Sequence, residues 1–328
     1  MPRSDPRGSA LLAGKDQEPG LLKAGVIGFG AFGRHHAGKY AALPGVALAG
    51  IADPSVDARR DALAKHGVPV SSDWRELLGK VDLVSICSPA VTHGALVRAF
   101  LNAGIHVLVE KPIATDLTEA DGLIALAEIN NCVLTVGHQE RFVFQRTGLL
   151  DFAAPKKVEC WRTGPWTGRG ADVSVVLDLM IHDLDLVHRL IPGAIGDVSA
   201  HGLMSHSRHP DDVSATVAFE NGAEANLRAS RVSSDRQRGM RATYEDGTIE
   251  IDFMTREVKN STRRALQPLA VNDPLGESVG AFVNAVRLGA GTLVRPEEAR
   301  RALETALLID GACRPSGITA SEAYAARA

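Results

Sequence analysis

The sequence is poor in cysteine, and its few cysteines are not spaced for disulfide bonds or for metal binding. Only 4 of the 328 residues are cysteine, and Cys87, Cys132, Cys160 and Cys313 lie far apart with no C-x-x-C pair. This spacing argues against a disulfide framework and against a zinc site. We therefore expect reduced thiols, no bound metal and a cytoplasmic location.

An excess of charge of one sign is also missing. The chain has 36 Lys and Arg against 39 Asp and Glu, a net charge of -3, so no global field draws it to nucleic acid or to an anionic membrane. Apolar runs stay shorter than the roughly 18 residues that a membrane span needs, and charged residues and Pro interrupt residues 1–20, where a signal peptide would be apolar. We expect neither nucleic acid nor membrane as a partner.

Length and composition favour two folded units. The chain has 328 residues, 45% of them hydrophobic and 23% charged, which corresponds to roughly two globular domains of about 150 residues. Residues 1–22 are polar and punctuated by Pro and Gly, which predicts a mobile leader. We place the first domain at 23–142 and the second at 143–328, where the pattern of apolar residues changes.

Short apolar runs alternate with longer mixed segments in the first domain. Val46–Ile51 and His106–Val109 are examples of the runs, and Val56–His66 and Leu117–Ile129 are examples of the helical segments between them. Strands that are apolar along most of their length are typical of a parallel sheet with helices on both faces.

The pattern differs after about Phe142. A strongly patterned helix is predicted from about Ser174 to Leu190, and strand-like stretches follow it between 198 and 253. Asn221-Gly222 and Asp246-Gly247 are hairpin signals, so we expect an α+β domain with a mainly antiparallel sheet. Two closing helices are predicted, at about 276–288 and 295–313.

The run Gly28-Phe29-Gly30-Ala31-Phe32-Gly33 matches G-x-G-x-x-G between the first predicted strand and the first predicted helix. Glycines here permit a tight turn, the approach of a pyrophosphate and close packing of helix on strand. Asp53 follows the second strand, about 20 residues further on, where a carboxylate accepts hydrogen bonds from the adenosine ribose. Its charge repels a 2′-phosphate, so NAD is favoured over NADP, although Arg34 and Arg59-Arg60 keep NADP as an alternative.

Two further motifs follow strands at the sheet edge where doubly wound folds bind ligands. The first is Ser88-Pro89-Ala90-Val91-Thr92-His93, and we expect Ser88, Pro89 and His93 to flank the cofactor. The second is Glu110-Lys111-Pro112, in which a lysine facing the cofactor would bond to a substrate hydroxyl and shift its proton equilibrium. An N-capped turn and a solvated Glu–Lys pair are the alternatives.

A second chemical cluster lies on the predicted helix between Ser174 and Leu190. Asp178, His182 and Asp185 are spaced i, i+4 and i+7, which places them on one helical face. An imidazole beside a carboxylate is a candidate general acid/base near neutral pH. A metal site and a salt-bridged surface helix are the alternatives.

These motifs together resemble one family, the glucose-fructose oxidoreductase / inositol dehydrogenase / MocA oxidoreductases. The resemblance covers about residues 23–313 and rests on the glycine motif with Arg34-His35-His36, Glu110-Lys111-Pro112, Gly137-His138-Gln139-Glu140-Arg141-Phe142 and the helix with Asp178 and His182. It implies an N-terminal Rossmann domain that binds NAD and an open C-terminal sheet that makes homodimers or homotetramers. It also implies NAD-linked oxidation of a sugar or polyol hydroxyl.

The same resemblance implies roles for individual residues. Lys111 corresponds to the catalytic lysine, and Asp178 with His182 corresponds to the acid/base pair. Either Lys111 or His182 is the immediate base. Glu110, Lys111 and His138 are implied to lie at the cofactor.

Within the family, the Gly137–Phe142 segment and Arg162-Thr163-Gly164-Pro165 are most similar to enzymes that oxidise the 3-hydroxyl of UDP-N-acetylhexosamines. Those enzymes make 3-keto sugars that an aminotransferase converts. The chain departs from the group at Arg141-Phe142-Val143-Phe144, where relatives continue Arg-Phe-Asn-Pro, so one polar substrate contact is missing. A myo-inositol or free-sugar dehydrogenase, an NAD-dependent glycosidase and a non-catalytic NAD-bound sensor are the other functions considered.

Several side chains in the same region are candidates for substrate binding. Arginines are suited to a diphosphate, and tryptophans to the face of a base or sugar. Purely structural arginines and packing tryptophans are the alternative. The candidates are Arg141, Arg162, Arg169, Trp161, Trp166 and, at the reacting hydroxyl, His182.

Overall fold

The computed structural model describes residues 20–266, 273–289 and 291–315. The strands in these ranges are β1 (Leu22–Ile27), β2 (Val46–Ala52), β3 (Val70–Ser71), β4 (Leu83–Ile86), β5 (His106–Val109), β6 (Leu134–Val136), β7 (Lys157–Thr163), β8 (Ile195–Leu203), β9 (Asp212–Phe219), β10 (Glu224–Ser230), β11 (Gln237–Thr243), β12 (Thr248–Asp252), β13 (Val258–Asn260) and β14 (Cys313–Pro315). The α-helices are α1 (Ala31–Ala42), α2 (Val56–His66), α3 (His93–Asn102), α4 (Leu117–Ile129), α5 (Glu140–Gln145), α6 (Ile181–Leu190), α7 (Pro274–Leu288) and α8 (Pro296–Ala312).

The first sheet is parallel and has the order β3-β2-β1-β4-β5-β6. Its central strands are buried on both faces, as their apolar sequences predict. The predicted doubly wound fold is therefore confirmed. Strand β3 was not predicted, since it is only 2 residues long, and it lies at the edge of the sheet. The strand order reverses between β1 and β4, and this opens a crevice at the carboxyl ends of the strands.

Local capping signals define the ends of the helices around this sheet. The Ser55 hydroxyl accepts a hydrogen bond from the Ala58 amide, and α2 ends at Gly67 in the left-handed region. The Asp116 carboxylate accepts a bond from the Glu119 amide at the start of α4. None of the helices in the described ranges is long and apolar enough to cross a membrane.

The second sheet has the order β13-β12-β11-β7-β10-β9-β8-β14 and is mainly antiparallel, as predicted. Parallel pairing occurs between β7 and β10 and between β8 and β14. Both predicted hairpins are present, since β9 pairs with β10 and β11 pairs with β12. Strand β7 was not predicted, although it lies inside the sheet between β11 and β10. A buried arginine, Arg162, occupies an inward position of β7 and hides the alternation of apolar residues.

The first predicted boundary needs a small correction. Leu22 was assigned to the leader, but it belongs to β1 and lies opposite Val46 in the parallel register. The rest of the leader up to residue 19 lies outside the described residues. The boundary at residue 142 stays a prediction.

The helix predicted from Ser174 begins with a π-helical turn, Val176–Met180, and continues as α6. The wider turn changes the angular relation between Asp178 and the residues that follow. Asp178 therefore points to Lys111, while Asp185, on the same helix, points to Arg141. The prediction that Asp178 and Asp185 lie on one face of this helix is therefore wrong.

The closing helices α7 and α8 return to the first sheet. Val279 and Phe282 of α7 are buried in the same apolar cluster as Val26 and Tyr40. Before α8, the main-chain oxygen of Val294 accepts a hydrogen bond from the Thr135 hydroxyl at 2.9 Å. The two sheets are thus packed together by the last part of the chain, although the sequence analysis assigned these helices to the second domain.

A side chain at Gly33 is expected to damage the glycine turn, because a Cβ there would collide with the carbonyl oxygen of Gly28. Gly38 lies in the same helix, and a Cβ there meets nothing within 4 Å. We expect Gly33→Ala to lower the free energy of unfolding by about 1–3 kcal/mol, and Gly38→Ala to raise it by about 0.5–1 kcal/mol. Urea denaturation measures both values. Equal effects of the two substitutions would contradict the close packing of α1 on this turn.

Candidate active site

A cavity of about 930 Å³ lies at the carboxyl ends of the first sheet. It is lined by the glycine turn, by residues that follow β2, β4 and β5, and by six residues of the second half of the chain, Arg169, Gly170, Asp172, Val173, Leu177 and Asp178. The sequence-predicted residues in its wall are Gly28, Gly30, Ala31, Phe32, Asp53, Ser88, Pro89, His93, Glu110, Lys111, Arg169 and Asp178. Trp74 and Arg75 also line it, and they were missed because they follow the unpredicted strand β3.

The three motif glycines meet three different constraints. Gly28 has φ +83°, and a Cβ there would lie 2.9 Å from the backbone of Cys87 and Ser88. Gly33 packs directly on the carbonyl group of Gly28, whereas a Cβ at Gly30 would meet nothing within 4 Å. The open space at Gly30 lies at the start of α1, whose first turn contains no acidic residue. This arrangement fits a pyrophosphate at the helix N-terminus.

Asp53 is held at the other side of the turn by backbone amides. Its carboxylate accepts hydrogen bonds from Phe29 N at 2.6 Å and from Ser55 N at 2.8 Å. A carboxylate has about four acceptor sites, so acceptor capacity remains for ribose hydroxyls. Phe29 contributes only its backbone here, because its ring is buried in the core. Arg59 donates to the main-chain oxygens of Asp53 and Pro54 at 2.8 Å.

His93 ties two strand-end loops together. Its ring nitrogens lie 2.7 Å from the main-chain oxygen of Pro112 and 3.0 Å from that of Ser88. Burial lowers the pKa of His93, and the two carbonyl groups offset part of that shift. The ring therefore positions the turn after Lys111 relative to the loop after β4.

Glu110 is part of a buried hydrogen-bond chain beneath the cavity. A carboxylate only accepts, so His36 Nε2 donates to Glu110 Oε1 at 2.9 Å, as does Gln139 Nε2 at 2.8 Å. His36 Nδ1 lies 2.9 Å from the Ser85 hydroxyl, which contacts the Tyr40 hydroxyl at 2.7 Å. Burial raises the pKa of Tyr40, which keeps it protonated. This chain holds the carboxylate next to Lys111 in one orientation.

Lys111 and Asp178 meet across the two halves of the molecule. Lys111 Nζ donates to Asp178 Oδ1 at 3.1 Å and also to the main-chain oxygen of Asp178. The other carboxylate oxygen lies 3.8 Å from Nη1 of Arg231. Asp178 is therefore held between two cations, one from each half of the chain.

His182 lies next to His138, with ring centroids 6.0 Å apart and planes at 86°. Burial, followed by the charges of Lys111 and Arg162, lowers the pKa of His182 well below its usual value, and burial also lowers that of His138. Both imidazoles are therefore neutral near pH 7. Neither nitrogen of His138 nor Nδ1 of His182 has a hydrogen-bond partner among the described residues. Buried polar atoms of this kind are available to a ligand or to water.

The structure places Arg141 in a role other than the expected diphosphate contact. The side chain is 4% exposed, and its guanidinium donates to Asp185 at 2.6 and 2.5 Å and also to Glu298. Asp185 is only 1% exposed. These buried pairs exclude the solvated surface helix that was the alternative interpretation of the sequence.

Among the described residues, no group of three His, Cys, Asp or Glu side chains is arranged to hold a metal.

Arg162 is engaged in the same way. It is 3% exposed and bridges Glu140 at 2.6 Å and Asp183 at 2.7 Å. Two carboxylates already use its donors, so the expected diphosphate contact is replaced by a structural ion pair. The carboxylate partners were missed because burial and pairing depend on tertiary structure.

Trp166 and Arg169 belong to the segment between β7 and the π-turn. The Trp166 ring stacks at 5.1 Å on His206, with the Arg231 guanidinium 5.4 Å away. The ring is half-buried, and its predicted contact with a base or sugar stays a prediction. Arg169 lines the cofactor cavity and lies over Phe32, with its guanidinium carbon 5.7 Å from the ring centroid.

Arg238 is a candidate site residue that the sequence analysis did not identify. It lies opposite Arg162 in the β11–β7 pairing and is partly buried. Its positive charge acts on His182, Glu140 and Asp183. Within the described part of the chain, no carboxylate lies within ion-pair distance of Arg238. In the sequence, Arg238 was marked only by its place among the strand-like stretches between 198 and 253.

Two family models match this chain. The oxidoreductase family with an NAD-binding Rossmann fold matches residues 22–138, and the GFO/IDH/MocA C-terminal domain matches residues 146–250. Together with the glycine turn and Asp53, the matches define an NAD-dependent oxidoreductase, which confirms the predicted cofactor. UDP-N-acetylglucosamine 3-dehydrogenase from Acidithiobacillus ferrooxidans is 34% identical over 88% of this chain and 96% of that protein. The chain belongs to the glucose-fructose oxidoreductase / inositol dehydrogenase / MocA family, as the sequence motifs predict.

Solved structures show the same fold. That of the Acidithiobacillus ferrooxidans enzyme matches with a TM-score of 0.83 at 35% identity, covering 89% of this chain and 97% of the other. The WlbA dehydrogenase from Bordetella pertussis, in complex with NADH and UDP-GlcNAcA, has a TM-score of 0.78 at 18% identity, covering 90% and 97%. Scyllo-inositol dehydrogenase from Lactobacillus casei, with bound NAD(H) and scyllo-inositol, has a TM-score of 0.77 at 20% identity, covering 89% and 97%.

Loss of the Arg162 guanidinium is expected to be strongly destabilising, because Asp183 and Glu140 would remain buried without a counter-charge. We expect Arg162→Met to lower the free energy of unfolding by about 3–5 kcal/mol. The control is Arg241→Met on the adjacent strand, which breaks an exposed 2.5 Å pair with Glu250 worth about 0–1 kcal/mol. Urea denaturation compares the two variants. A stable Arg162→Met protein with a raised KM for the substrate would instead support the predicted contact between Arg162 and the substrate diphosphate.

Proposed function

We propose that this protein uses NAD to oxidise the 3-hydroxyl of a UDP-N-acetylhexosamine to a ketone. The observation that carries this proposal is the pairing of Lys111 with Asp178 in the wall of a cavity shaped for NAD, with His182 near enough to Lys111 for that charge to lower its pKa. The 34% identity to an enzyme named UDP-N-acetylglucosamine 3-dehydrogenase supports the substrate class. The product would be a 3-keto sugar nucleotide, and an aminotransferase is the class of enzyme that would consume it.

The protein's own residues would supply proton transfer and orientation. The glycine turn and Asp53 would hold NAD, which would supply the acceptor for the hydride from the carbon that carries the reacting hydroxyl. The ammonium of Lys111, held by Asp178, donates a hydrogen bond to the substrate oxygen and stabilises its developing negative charge. Neutral His182 accepts the hydroxyl proton, and its lowered pKa keeps it free to do so at neutral pH. In this scheme His182 is the immediate base and Lys111 is the electrophilic partner.

Arg238 is the side chain we assign to the substrate diphosphate. Its charge lowers the pKa of His182, so it lies near the residue that we propose as the proton acceptor. Arg141 and Arg162 have their donors occupied by carboxylates, whereas Arg238 has donors to offer. Charge-assisted bonds from its planar guanidinium suit a phosphate group.

The experiment that tests this function follows NADH absorbance with purified protein, NAD and four substrates. The panel is UDP-N-acetylglucosamine, UDP-N-acetylgalactosamine, myo-inositol and glucose, each with and without an aminotransferase plus glutamate to trap a 3-keto sugar. We expect turnover with a UDP-sugar, enhanced by the trap. Arg238→Gln should raise KM for that substrate about 10- to 100-fold with little change in kcat, because it removes charge-assisted bonds to the ground state.

The control for Arg238→Gln is Arg208→Gln, an exposed arginine outside the cavity wall, which should leave KM unchanged. Turnover with a free polyol alone would contradict the UDP-sugar assignment and favour an inositol or free-sugar dehydrogenase. Sugar cleavage without net NADH would favour the glycosidase, and NAD binding without any turnover would favour the sensor.

The rate of the chemical step should depend on pH through His182. Its pKa is lowered well below the usual value of 6.5, so the ring stays neutral as the pH falls past 6.5 and gains a proton only in more acidic solution. We therefore expect kcat to be unchanged at pH 6.5 and to decrease only at lower pH. His182→Gln should abolish this acidic limb, and His201→Gln, at an exposed position of β8, should preserve it. A limb centred above pH 6.5 in the unmodified protein would contradict a neutral His182.

A further inference from the structure

One cation in the wall of the cofactor cavity has no carboxylate partner among the described residues. Arg75, Lys111 and Arg169 all contribute to its wall. Arg75 pairs with Asp73 at 3.1 Å, and Lys111 pairs with Asp178 at 3.1 Å. No carboxylate in the described ranges forms an ion pair with Arg169. Arg169 is therefore the cavity cation that is ready to meet an anion.

Arg169 lies over the first turn of α1. Its guanidinium carbon is 5.7 Å from the ring centroid of Phe32, the second residue of that helix. The first turn contains no acidic residue, and no side chain caps its amides. A Cβ placed on Gly30 would have no neighbouring atom within 4 Å, so there is open space beside this residue. An anion in this space would have helix amides on one side and the Arg169 guanidinium on the other.

We propose that Arg169 binds the pyrophosphate of NAD from the side opposite to α1. Arg169 was expected at the substrate, but it lies beside the glycine turn. A pyrophosphate carries negative charge that the helix N-terminus neutralises only in part. A guanidinium supplies a full charge and two parallel donors in a geometry that matches phosphate oxygens. Arg169 would act on the cofactor whichever sugar is the substrate.

The backbone around Arg169 is arranged to present the side chain. Gly168 has φ +75° and Gly170 has φ +67°, so the chain turns sharply on both sides of it. Arg231 holds the end of this turn, donating to the main-chain oxygen of Gly170 and, at 3.0 Å, to that of Val173. A side chain at Gly170 would collide with the Asp178 carboxylate. The turn therefore connects the cofactor cavity directly to the proposed acid/base cluster.

Binding of NADH and of ADP-ribose, measured by fluorescence titration and stopped flow, tests this role without any sugar present. Arg169→Gln should weaken both ligands by about 10- to 100-fold, because each contains the pyrophosphate, and the change should be mainly in the dissociation rate. Arg169→Lys retains the charge and should recover most of the affinity. Arg208→Gln should bind both ligands like the unmodified protein.

Two outcomes of the binding titrations would overturn the proposal. Unchanged NADH binding with a raised KM for the sugar nucleotide would return Arg169 to the substrate. Weaker NADH binding with unchanged ADP-ribose binding would move the contact to the nicotinamide half of the cofactor.

Hydrogen exchange of the unmodified protein provides a second measurement that needs no variant. NADH should slow exchange at the amides of residues 168–170, and unchanged exchange there would also contradict the contact.

Discussion

The contact between Lys111 and Asp178 is the interaction on which the site depends. Lys111 follows β5 of the first sheet, Asp178 lies in the π-turn that leads to α6, and Nζ is 3.1 Å from Oδ1. The lysine comes with the part of the chain that binds the cofactor, and the aspartate comes with the second sheet. The geometry that we propose for proton transfer therefore exists only when the two halves are packed, which α7 and α8 achieve by returning to the first sheet.

Buried charge organises the space around this contact. Arg141 and Arg162 each bind two carboxylates, and Asp183 and Asp185 come from α6 itself. Such pairs are weak contributors to net stability, but removing one member leaves a desolvated charge. They fix the position of α6 and thereby the position of His182. The same low-dielectric surroundings keep His182 neutral, which a general base near pH 7 requires.

The fold was largely predictable from the sequence, whereas the partners of individual side chains were not. Apolar periodicity and the glycine motif predicted the parallel sheet and its NAD site, but a buried arginine in β7 concealed that strand. Arg141 and Arg162 were expected to bind a diphosphate, because a sequence does not show which carboxylates an arginine meets in three dimensions. For Arg169, which was expected at the substrate, the contact with Phe32 supports our proposal of a cofactor role. The homo-oligomer and the cytoplasmic location stay predictions.

A double-mutant cycle on single-turnover hydride transfer tests most directly whether Lys111 and Asp178 act as one unit. Lys111→Met, Asp178→Asn and the double variant would each be saturated with NAD and substrate, and the rate of NADH formation measured by stopped flow. We expect the double variant to lose little more rate than either single variant, a coupling of about 1–3 kcal/mol. Additive losses would contradict the account, because they would mean that the two residues act independently.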